Sequence, residues 1–158
     1  MTDDRVFHLA QYNVALARTE LDDPVMEGFV EQLEAVNALG EQSEGFVWRF
    51  ETEDGDATAI RPYGDPLALI NMTVWESIET FQAFVYRGLH GEVFRQRSDW
   101  FRRSEQPTLV LWWVPAGEVP TVEEGMRRLE MLRQRGASEE AFTLQERFES
   151  PAIAKVIG

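Results

Sequence analysis

Residues 6–14 interleave two sets of positions: Phe7, Leu9, Gln11 and Asn13 alternate with His8, Ala10, Tyr12 and Val14. Both sets hold apolar members, as in a strand covered on each face. Asp23 before Pro24 then starts a helix, with Val25, Phe29, Leu33 and Val36 at helical spacing and Gly40 as the expected stop. Phe46, Trp48 and Phe50 alternate with Val47, Arg49 and Glu51 in a half-buried strand. The acidic run 51–56 is a turn that lacks the regular oxygen spacing of a calcium loop. A short strand is expected over 57–60, a loop over 61–66 and a strand over 67–75, with Ile70, Met72 and Val74 opposite Leu69, Asn71 and Thr73.

Ser77 caps a second helix with an apolar stripe of Ile78, Phe81 and Val85. Gly88 weakens it, and the pattern resumes through Val93, Phe94, Trp100 and Phe101 until Pro107. Residues 108–114 read as a buried strand. Thr121 and Glu124 form the ends of a capping box, and Met126, Leu129 and Leu132 face inward on a third helix that stops at Gly136. Phe142, Leu144, Glu146 and Phe148 predict a final edge strand. The fold class is α+β: a ferredoxin-like antiparallel sheet with helices on one face. The other face, carrying large apolar residues, needs a cover, and a second copy of the chain is the expected one.

Composition narrows the setting. The 158 residues are 44% apolar and 27% charged, enough for one domain over 1–150 with a tail at 151–158. With no cysteine, disulfides, thiolate metal sites and cysteine nucleophiles are excluded, and two histidines make a dedicated metal site a poor expectation. A net charge of −13 argues against nucleic acid or an anionic membrane as partner. The N-terminus shows no leader pattern and no run approaches a membrane span, so a cytoplasmic protein is expected.

Several stretches carry a resemblance. His8 to Asn13, Thr73-Val74-Trp75-Glu76-Ser77, the run from Phe84 to Val93 and Trp100-Phe101 resemble the DUF3291 family of bacterial proteins, across residues 5–150. That family is similar in turn to the dimeric α+β barrel superfamily, which includes antibiotic-biosynthesis and haem-degrading monooxygenases. The resemblance implies a homodimer whose paired sheets enclose a barrel. Of the residues used by the haem-degrading members, Asn13 matches the asparagine, Phe84 stands at the tryptophan position, and His90 precedes the expected ligand position.

The candidate chemistry lies in two groups. Tyr86, His90, Phe94, Arg97 and Phe101 share one face if a single helix runs through them. His90 would then serve as base, proton relay or ligand, Phe94 as an apolar wall, and Tyr86 and Arg97 as orienting groups. Gln11 and Asn13, joined by Asn71 and Thr73, would be convergent polar groups in the barrel interior, the asparagine and glutamine stabilising a developing oxyanion. His8, on the opposite strand face, is expected to be structural. Three functions follow from these groups and the resemblance. One is a cofactor-independent, monooxygenase-like oxidation of a small apolar or aromatic molecule. The others are haem binding or haem oxidation with His90 as ligand, and ligand sequestration without catalysis.

Overall fold

The computed structural model describes residues 6–51, 65, 67–89 and 97–151. Four strands form one antiparallel sheet: β1 (Phe7–Leu16), β2 (Phe46–Arg49), β3 (Ala68–Trp75) and β4 (Leu109–Pro115). Their order across the sheet is β2-β3-β1-β4, the arrangement expected of a ferredoxin-like α+β unit. Leu9 lies opposite Trp75, Gln11 opposite Thr73 and Asn13 opposite Asn71. Alternation therefore puts Gln11, Asn13, Asn71 and Thr73 on one face, and Ala10, Tyr12, Met72 and Val74 on the other.

The helix starts follow the capping chemistry. Asp23 Oδ1 accepts a hydrogen bond from Val25 N at 2.9 Å, Pro24 opens a single 3-10 turn, and α1 (Glu27–Gln42) continues from it. The helix passes the stop expected at Gly40, and Gly45 makes the turn into β2 with φ of 82°. Ser77 Oγ accepts from Thr80 N at the start of α2 (Ile78–Leu89). A short α3 (Arg97–Trp100) precedes β4, and Thr121 Oγ1 caps α4 (Val122–Arg135) by accepting from Glu124 N.

Three expectations change. First, the helices occupy both sheet faces. Ile78 and Phe81 of α2 pack with Leu9, Trp75 and Leu111, whereas Leu129 and Leu132 of α4 pack with Ala10, Tyr12, Met72 and Trp112. The approach of α4 is so close that a Cβ at Gly125 would lie 2.5 Å from the Tyr12 ring. The face expected to be bare thus packs against α4 of the same chain.

Second, the final edge strand does not form. Phe142 exchanges backbone hydrogen bonds with Leu111 as an isolated bridge. Thr143 Oγ1 then accepts from Glu146 N and curls the chain away. Third, Phe101 leaves the helical face shared with Tyr86, because it pairs with Ala17 in a bridge beside β1. The strand expected at 57–60 lies outside the described residues.

Candidate functional site

The polar side chains of the sheet converge beneath α1, in a cavity of about 260 Å³. Asn13, Asn71 and Thr73 form part of its floor, while Phe29 from α1, Phe84 from α2 and Trp75 from β3 supply aromatic wall. Trp75 and Phe84 stack with ring centroids 5.0 Å apart, which fixes that wall. The cavity lies within one chain, on the sheet face that packs against α1 and α2.

A three-amide network holds the floor. Gln11 Nε2 donates to Asn71 Oδ1 at 2.6 Å, and Asn13 Nδ2 donates to Gln11 Oε1 at 3.0 Å and to Asn71 Oδ1 at 3.4 Å. Gln11 is only 2% exposed and does not line the cavity, so it positions the other two. Among the described residues, nothing bonds to Asn71 Nδ2 or Asn13 Oδ1, which leaves a donor and an acceptor for a visitor. Thr73 Oγ1 is engaged, accepting from Trp75 Nε1 at 2.8 Å.

Arg49 also lines the cavity, and simple alternation along β2 misses it. A register shift between Phe46 and Trp48 places Trp48 opposite Val74 and Arg49 opposite Thr73. The bulge thus rotates the guanidinium onto the cavity face. Its side chain is 14% exposed and is braced by Glu41 and by Glu51, the latter at 3.1 Å.

The remaining candidates divide. Tyr86 is 56% exposed and is not among the lining residues, whereas Phe101 is. His90 and Phe94 lie outside the described residues, and Arg97 is placed only as the first residue of α3. His8 is half-buried opposite Val114, on the same sheet face as Ala10 and Tyr12, as alternation predicts. Among the described residues, no three His, Cys, Asp or Glu side chains gather to hold a metal ion, and no helix is long and apolar enough to cross a membrane.

Fold and site together define an α+β, ferredoxin-like domain with an amide-floored cavity between its sheet and first helix. The chain belongs to the family described as "Domain of unknown function (DUF3291)", which matches residues 8–156. No curated protein matches it. Among solved structures it is similar to the NE2512 protein of unknown function from Nitrosomonas europaea, at 12% identity. That match covers 74% of this chain and 98% of the other, with a TM-score of 0.45.

Proposed function

We propose that the cavity binds a small, ring-bearing molecule that offers a hydrogen-bond acceptor to Asn71 and keeps its apolar body against Phe29, Phe84 and Trp75. The observation that carries this reading is the uncommitted Asn71 Nδ2 above a buried amide network. A polar group in an apolar enclosure is costly without a partner, so three amides on one sheet face call for a polar occupant. The cavity volume lies just below the roughly 300–1,000 Å³ usual for ligand pockets and suits one or two rings. A porphyrin is too large for it, so haem binding would have to use another part of the molecule.

Acetophenone and cumene test the reading, because they share a shape and differ in the carbonyl acceptor. Acetophenone should quench or shift Trp75 emission with an affinity about tenfold higher than cumene, the worth of one net hydrogen bond. Asn71→Leu should abolish that preference. Equal binding of the two, or of neither, removes the proposal.

A catalytic reading uses the same donor. An Asn71 amide held in a water-poor cavity would stabilise the oxyanion formed when a base takes a proton from an acidic phenol or enol. The carbanion form then adds molecular oxygen to give a peroxide anion, which takes up a proton and loses water to leave a carbonyl. No general base is found among the described lining residues, and His90 is the candidate for that role. Oxygen uptake with a naphthol-type substrate, lost in His90→Ala, is the expected result. Binding without oxygen uptake across a phenol panel would leave ligand sequestration as the function.

A further inference from the structure

A second cavity, of about 830 Å³, opens where the end of β1 meets the segment leading into β4 and the last turn of α4. Among the described residues, its lining holds Arg18, Arg102, Arg103 and Arg133, against one acid, Asp65. The chain as a whole has 28 acidic and 15 basic residues, so this groove reverses the sign of the molecule around it. We propose that it is a binding site for a small organic anion bearing a phosphate or carboxylate group. The proposal stands independently of the amide-floored cavity.

The arginines are held in place by the backbone and by each other's surroundings. Arg18 N donates to Trp100 O and Arg102 N to Leu16 O, both at 2.8 Å, which fastens the two segments on either side of the groove. Arg133 Nε donates to Pro107 O at 2.8 Å, which orients the guanidinium and leaves its two Nη groups for a ligand. Ser104 Oγ accepts from Gln106 N and donates to Gln106 O, closing the loop that carries Arg103. Among the described residues, Arg102, Arg103 and Arg133 make no ion pair. This contrasts with Arg49 and Arg128, each joined to a glutamate.

Guanidiniums present paired donors that match the oxygens of phosphate and carboxylate. Three of them around one concavity in an acidic protein focus the field for an incoming anion. The groove is not wholly polar. Leu16, 40% exposed, and Phe101 contribute apolar surface beside the charges. A ligand with a compact ring and an anionic end satisfies both, whereas bare phosphate uses only the charges.

Phenyl phosphate and phenylacetate are the probes, titrated calorimetrically against the intact chain. At least one should bind saturably, more tightly than inorganic phosphate, and the tighter of the two identifies the headgroup. Its affinity should fall about tenfold or more in the double variant Arg102→Gln/Arg103→Gln, and should fall as ionic strength rises from about 0.05 to about 0.3 M. Arg102 and Arg103 are exposed, so the variant keeps its core, which circular dichroism checks. Asn71→Leu should leave this binding unchanged, so that the two sites succeed or fail separately. The proposal is overturned if neither probe binds saturably, if the double variant binds as well as the parent, or if uncharged anisole competes equally. It is also overturned if a single-stranded oligonucleotide of about ten residues binds while both small anions do not, which would make the groove a nucleic-acid surface.

Discussion

Asn71 Oδ1 receives hydrogen bonds from two side chains, Gln11 and Asn13, and so acts as the acceptor around which the amides are arranged. Replacing it with leucine keeps the branching of the side chain but leaves the almost fully buried Gln11 Nε2 without an acceptor. That loss should destabilise the fold by about 1–3 kcal/mol, measured by urea unfolding. Asn13→Leu removes a donor at the half-exposed edge of the same network and should cost less, about 1 kcal/mol. If both variants unfold with the parent, the network contributes nothing and its polar atoms are simply hydrated. These amides are legible in the sequence because Gln11, Asn13, Asn71 and Thr73 interrupt otherwise apolar strands in phase. Arg49 is not legible, since one inserted residue in β2 changes its face and nothing in the local pattern marks the insertion.

At the level of elements, the chain announces what forms more clearly than where it docks. The Thr121 cap and the stripe of Met126, Leu129 and Leu132 specify α4 and its apolar side. They do not specify which face of the sheet receives it, because β1, β3 and β4 are apolar on both. The choice is decided by fit: Gly125 lets the helix backbone settle against Tyr12, and Arg128 lies with its guanidinium 5.6 Å from the centre of the Trp112 ring. The final strand fails for a related reason. Alternation from Phe142 to Phe148 is real, but those two rings meet at a tilt with centroids 5.9 Å apart and Trp113 Nε1 donates to Phe148 O, which draws the segment across the sheet instead of along it. Leu132 is 4% exposed in the α4 contact, so Leu132→Ala should cost about 2–5 kcal/mol. The light-scattering mass should not change. A change in mass with little loss of stability would mean that α4 is not the cover of that face.

For the whole molecule, the dominant electrostatic fact is the net charge of −13 carried by 158 residues. Self-repulsion of this size opposes compaction and weakens as salt shortens the range of the charges, to about 10 Å at 0.1 M. Thermal unfolding should therefore shift upward between about 0.02 and about 0.3 M sodium chloride, by a few degrees, since 1 kcal/mol corresponds to about 2–4 °C at this chain length. The arginine groove adds a specific component to that general one. Phosphate at matched ionic strength should raise the midpoint beyond chloride, because an anion that binds only the folded chain stabilises it by mass action. Exclusion of phosphate from protein surfaces produces a rise of its own, independent of any site. The double variant Arg102→Gln/Arg103→Gln separates the two. With a site in the groove, the excess of phosphate over chloride shrinks in the variant. If the excess is identical in parent and variant, the stabilisation comes from bulk exclusion alone, and the four arginines of the groove serve only to offset the acidic surface around them.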